Sequence, residues 1–174
     1  MKGSGGFVTA ADARTEKILM EELSRARPDF GILMGESGVY EGNNSTFRWI
    51  VDPIDGTSNF LHGIAHFAIC IALEEHSQVI AGLIFDPINE QLFWAEKGQG
   101  AFLNNRRIRV SARTRISQSL FATGLPFKGG DAIPEQAIFL KELDEVMSVS
   151  AGIRRFGSTA LDLAYVAAGR FDGF

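Results

Sequence analysis

Two aspartates three residues apart, with a proline between them, constrain this chain more than any other feature. They sit in Trp49-Ile50-Val51-Asp52-Pro53-Ile54-Asp55-Gly56-Thr57. Residues 49–51 read as a buried strand, and Pro53 is predicted to stop it. Proline keeps the residue before it out of the helical region, so Asp52 is expected to stay extended at the strand tip. Gly56 reaches backbone angles that other residues avoid and lets a ligand approach the main chain. The stretch should therefore present Asp52, Asp55 and the amides around Gly56 and Thr57 at one open end. Hard oxygen ligands beside N–H groups suit a magnesium ion and a phosphate held together. The competing reading is a turn with solvated aspartates, because Asp, Pro and Gly all form turns. The chain supplies its own control in Asp86-Pro87-Ile88-Asn89. That copy lacks the second aspartate, the glycine and the threonine, and reads as a bare turn.

The rest of the chain frames this corner. Thr9 and Asp12 fit a capping box opening a helix that runs to about Arg27, with Ile18, Leu19, Leu23 and Ala26 on its apolar face. Pro28 ends it. Residues 30–34 read as a strand, 41–45 as a polar loop, and 57–62 as a short helix or turn. Three apolar runs, 66–73, 79–85 and 91–96, form an antiparallel meander. Residues 106–110 mix arginine with apolar residues, as an edge strand protected by charge or a basic patch for a polyanion. Strands are expected at 119–123 and 153–156, and an amphipathic helix at 135–147. A last helix spans 158–168, with Ser158 as its cap. This order suggests an α+β fold in layers, with at least one antiparallel sheet.

Composition narrows the function. The 174 residues are enough for one domain with a real core. A formal net charge of −4 argues against nucleic acid held by bulk electrostatics. Cys70 is the only cysteine, which excludes an internal disulfide or thiolate zinc site and reads as a small buried residue. No segment approaches the roughly 18 apolar residues of a membrane span. Residues 1–6 lack the apolar core of a signal peptide, so a cytoplasmic protein is the expectation. His62, His66 and His76 show no ligand spacing; the first two read as loop or strand-end residues near the corner. Asp162 and Asp172 read as a helix first-turn acid and a terminal-turn acid.

The stretch from Trp49 through Ser58-Asn59-Phe60 resembles the first signature of the inositol monophosphatase family, which comprises magnesium-dependent, lithium-sensitive phosphatases. The resemblance extends over nearly the whole chain: Val8-Thr9-Ala10-Ala11-Asp12, Glu36-Ser37, Lys97-Gly98-Gln99-Gly100-Ala101-Phe102 and Ile153-Arg154-Arg155-Phe156-Gly157-Ser158. It implies a layered αβα(βα) sandwich of the sugar-phosphatase type. It also implies a homodimer acting on a small phosphorylated substrate, with Mg2+ as cofactor. Asp52 would bridge two magnesium ions, with Asp55, the Ile54 carbonyl and Glu36 as further ligands. Gly56 and Thr57 would hold phosphate oxygens, and Gly157, Ser158 and Thr159 would contact substrate. Thr57 with Asp12 would activate the attacking water. Without the resemblance, Asp12 reads as a cap, Glu36 as an exposed loop acid and residues 157–159 as a helix start.

Two departures from the family pattern stand out. The family has two glutamates before the serine matched by Ser37, and this chain has Gly35-Glu36. Depending on loop length, Gly35 replaces the principal glutamate ligand or Glu36 is that ligand. The family's later Trp-Asp motif, which supplies another metal-binding aspartate, has no match here, and neither does its first helix. The expectation is one incomplete domain over 1–174, with the second domain largely missing.

Overall fold

The computed structural model describes residues 10–35, 37–125 and 134–174. Helix α1 (Ala10–Ala26) leads to strands β1 (Phe30–Met34), β2 (Gly38–Tyr40) and β3 (Asn44–Asp55). A one-turn helix, α2 (Thr57–Leu61), follows. Then come β4 (Ala68–Glu75), β5 (Gln78–Asp86), β6 (Gln91–Glu96), β7 (Gly100–Leu103) and β8 (Arg106–Arg107). Strand β9 (Leu120–Ala122), helix α3 (Pro134–Val149), strand β10 (Gly152–Arg154) and helix α4 (Thr159–Ala167) complete the described chain.

Among the described residues the main sheet runs β2-β1-β3-β4-β5-β6-β7-β8, and β9 pairs with β10 in a second sheet. β1 lies parallel to β3, and every step from β3 to β8 is antiparallel. The short strands β2 and β7 had no separate signal in the sequence. The expected 106–110 strand shrinks to two residues at the sheet edge. Beyond it Ile108 packs against the core on the α4 side, while Val110 is 69% exposed, so the alternation of apolar and basic residues there buries only one of its two apolar side chains.

A helix packs on each face of the main sheet. On one, Ile32, Met34 and Val51 form a core with Leu19, Met20 and Leu23 of α1. Ile18, expected on that apolar face, is instead half exposed. Helical spacing shows why: Asp12 and Glu16 are buried, so the inward stripe runs 12, 16, 19, 20, 23 and leaves position 18 outside. On the other face Ala68 and Phe93 pack with Leu161 and Ala164 of α4, supported by Cys70 and Ile84. Beside α4 the register aligns Ala72, Gly82, Ala95 and Ala101 in a row across four strands. These small residues floor an apolar trough of about 910 Å3.

Asp172, expected in a terminal turn, is an anchor. It accepts hydrogen bonds from the Ser111 hydroxyl, from Arg113 Nε at 2.8 and 2.9 Å on its two oxygens, and from the Leu120 amide at 2.8 Å. The Ser111 hydrogen bond foremost, with the Leu120 amide and Arg113, outweighs burial and holds its carboxyl below the ordinary value of 3.8. A carboxylate depressed on folding contributes stability above its unfolded pKa and loses it as pH falls through the folded value. Asp172→Asn should therefore lower the melting temperature at neutral pH. The gap from the parent should narrow as pH drops below 3.8, as read by thermal melts across an acid series.

Candidate active site

The site is built on an irregularity in β3. Strand β3 does not stop at Pro53, as its sequence predicts, but continues to Asp55. Asp52 pairs with Cys70, and the next pairing of the ladder joins Asp55 to Ala68. Three steps on β3 thus oppose two on β4, which is a bulge with one extra residue. Proline has no N–H to donate to a ladder, which explains the break at this point.

The bulge has a geometric consequence. Side chains alternate along a strand, so residues three apart would ordinarily point to opposite faces. The extra residue removes that opposition. Cys70 and Ala68 share the α4 face, and directly paired residues share a face, so Asp52 and Asp55 turn to the same side.

Asp55 is then fastened to α4. Its Oδ2 accepts from Ser158 Oγ at 2.5 Å and from the Ala160 amide at 2.9 Å. Ser158 is fully buried and caps α4, its hydroxyl also accepting from the Leu161 amide. In this arrangement Ser158 holds Asp55. Thr159, the first residue of α4, is exposed.

Gly56 follows in the left-handed region at φ 91° and caps α2. A side chain there would press on the His66 carbonyl at 3.1 Å and the Gly157 carbonyl at 3.3 Å. Thr57 Oγ1 donates to the Ile54 carbonyl at 3.0 Å. Asn59, buried, uses one amide nitrogen to reach the carbonyls of both His66 and Phe156 at 2.7 Å. Gly157, at φ 92°, lies so close to Asn59 that a Cβ would come within 3.1 Å of its amide. Residues 52–59 and 156–160 therefore form one fixed corner.

Asp12 is 1% exposed at the start of α1, which packs on β1 and β3. The capping partner Thr9 and the ligand candidate Glu36 lie outside the described residues. Glu16, one turn after Asp12 and also buried, accepts from the Ser37 amide at 3.1 Å and so ties α1 to the start of β2. Its sequence signal was its position four residues after Asp12, on the helix stripe that faces inward. Asn59 had no comparable signal, since its partners are 7 and 97 residues away. Gly35 is exposed, and a Cβ built there would meet nothing within 4 Å. Asp86 accepts from the Ile88 and Asn89 amides in the turn between β5 and β6, which bears out the plain-turn reading of the second Asp-Pro.

Among the described residues no three His, Cys, Asp or Glu side chains converge on one point. The donors that do assemble in the corner, two carboxylates and the Ile54 carbonyl, are all oxygen. An all-oxygen set suits a hard cation such as magnesium.

The family model of the inositol monophosphatase family matches residues 1–174. The chain belongs to that family. An inositol-1-monophosphatase of Mesorhizobium japonicum is 51% identical over 174 residues, covering 100% of this chain and 64% of that protein. A Nus factor SuhB of Haemophilus influenzae is 41% identical over 173 residues, covering 99% and 64%. The crystal structure of the extragenic suppressor protein suhB from Bartonella henselae superposes with a TM-score of 0.91 at 54% identity, covering 98% of this chain and 65% of that one. The layered α+β architecture is therefore the inositol monophosphatase fold, and the chain spans just under two thirds of these relatives.

Ser158→Ala removes both the cap of α4 and a donor to Asp55. It should cost about 1–2 kcal/mol of stability by the usual magnitude for a lost N-cap, measured by urea unfolding.

Proposed function

We propose that this chain forms the metal- and phosphate-handling part of a magnesium-dependent phosphomonoesterase acting on myo-inositol monophosphate or a related sugar phosphate. The observation that carries this reading is the β3 bulge, which turns Asp52 and Asp55 to one face and leaves Asp55 braced by α4. Asp52, Asp55, the Ile54 carbonyl and Glu36 would hold the metal. Bound there, magnesium supplies positive charge that lowers the pKa of a water and offsets charge on the attacking and leaving oxygens. Backbone N–H groups at Gly56 and Thr57 would hold phosphate oxygens, because the first amides of a helix have no partner within it. Thr57, with its hydroxyl oriented by Ile54, and Asp12 would position the attacking water. Gly157, Ser158 and Thr159 border the substrate side. Nucleotide 3′-phosphate, fructose bisphosphate and histidinol phosphate are the alternative substrates of the same chemistry.

The chain would be the first layered domain of a longer cytoplasmic, lithium-sensitive homodimer. The apolar trough beside α4 is where a further layer would lie, and it supports that reading. In the full-length protein, Asp52→Asn should reduce magnesium-dependent phosphate release from myo-inositol monophosphate by at least about 100-fold, because even outer-shell changes around a metal cost up to that much. Unchanged turnover would overturn the assignment.

A second reading, a binding or regulatory member with weak turnover, follows from the loop length that puts Gly35 where the family has its principal glutamate. A relative 41% identical carries the name Nus factor. The open space around Gly35 lets Gly35→Glu be tolerated sterically. If Gly35 has removed a ligand, that variant should bind magnesium at least about 10-fold more tightly by calorimetry. Equal affinity would leave Glu36 as the ligand.

A further inference from the structure

His66 and Asp162 belong to no step of the proposed chemistry, yet both are enclosed. Asp162 lies in the first turn of α4 with its side chain 2% exposed, and His66 precedes β4 at 14%. The His66 ring packs against Phe156 and Tyr165, with centroids 5.0 and 6.0 Å away. Its Nε2 faces Asp162 Oδ1 at 3.8 Å. Both atoms are sealed from solvent, and neither has a hydrogen-bond partner among the described residues.

That separation is diagnostic. It exceeds the 2.7–3.2 Å of a direct N–H···O bond, so the pair stands unmade but within reach. Two buried polar atoms left unmade are costly, and a charge-assisted bond between them is among the stronger kinds. A shift of less than about 1 Å closes the pair.

The main chain of His66 shows what closure would govern. Its carbonyl accepts from Asn59, whose amide also holds the Phe156 carbonyl just before Gly157 and Ser158. The same carbonyl is the nearest atom to the space beside Gly56. The side chain of His66 reaches α4, and the N-terminus of α4 holds Asp55 through Ser158 and Ala160. The pair therefore closes a circuit that runs from Asp55 through α4 to Asp162, across to His66, and back through Asn59 and Gly56.

We propose that His66 and Asp162 are positioning residues: Nε2–H of His66 donates to Asp162 and fixes the spacing between the Gly56–Thr57 amides and the N-terminus of α4. Neither residue contacts phosphate or metal in this scheme. The proposal rests on the phosphate-handling reading of the corner for its consequence, and on geometry alone for its proton.

Two measurements on the full-length protein test it. Long-range 1H–15N spectra of the imidazoles, with His66 assigned by its loss in His66→Phe, should find the proton on Nε2 in the parent and a changed tautomer balance in Asp162→Ala. Calorimetry with inorganic phosphate in the presence of magnesium should find binding about 10-fold weaker in His66→Phe and in Asp162→Ala. The double variant should be no weaker than either single one, because the two side chains act as one unit. His66→Gln, which carries an N–H donor near the place of Nε2, should stay within about threefold of the parent. A proton on Nδ1 in the parent, or losses that multiply in the double variant, would overturn the pair. If the parent binds no phosphate, the phosphate-handling reading fails, and the tautomer measurement still decides the proposal.

Discussion

The missing N–H of Pro53 is the constraint on which the site depends. A strand of ordinary residues through this position would carry Asp52 and Asp55 to opposite faces, one toward α1 and one toward α4. With no donor at residue 53, the β3–β4 ladder slips by one residue, and both carboxylates face α4. Like charges brought this close need relief, from a proton, a cation or fixed donors. For Asp55 the fixed donors are the Ser158 hydroxyl and the Ala160 amide. A helix N-terminus is a suitable place for that charge, because its unpaired amides and its dipole both favour an anion.

This arrangement ties elements far apart in sequence to one point. Asp55 and Ser158 are 103 residues apart, and Asn59 and Phe156 are 97 apart. The core on the α4 face holds the helix where these contacts can form, with Leu161 and Ala164 against Ala68 and Phe93. Ala68 is also the ladder partner of Asp55. The same strand position thus sets both the packing of α4 and the reach of the carboxylate. A change that displaced α4 would be felt at Asp55 without touching it.

Much of the frame was legible in the sequence because local signals agreed there. The α1 pattern, the meander of β4 to β6, the Ser158 cap and the bare turn at Asp86 all rest on periodicity or turn chemistry within a few residues. The family resemblance, carried by residues 49–60 and four shorter motifs, gave the layered α+β class. What escaped the sequence was what depends on partners across the fold. Pro53 looked like a stop, and only the pairing with Cys70 and Ala68 shows that it makes a bulge instead. Asp172 looked like a turn residue, and its role comes from Ser111, Arg113 and Leu120, the nearest of them 52 residues away. Ile18 looked apolar enough to face the core, but two buried acids on α1 had already fixed which side faces in.

Those acids point to the remaining step. A helix that served only to cover a sheet would place apolar residues at positions 12 and 16, since burying a carboxylate is costly unless its interactions offset the desolvation. α1 buries Asp12 and Glu16, and α4 buries Asp162 in the same way. One purpose is visible for Glu16, which holds the Ser37 amide just before β2. Sequences depart from simple patterning at functional sites and offset the cost elsewhere. On that logic the two covering helices are also supports: α1 holds the Ser37 amide, and α4 holds Asp55. Each face of the sheet thus carries a helix whose buried acid or N-terminus also fixes a neighbouring turn or corner, α1 at Ser37 and α4 at Asp55.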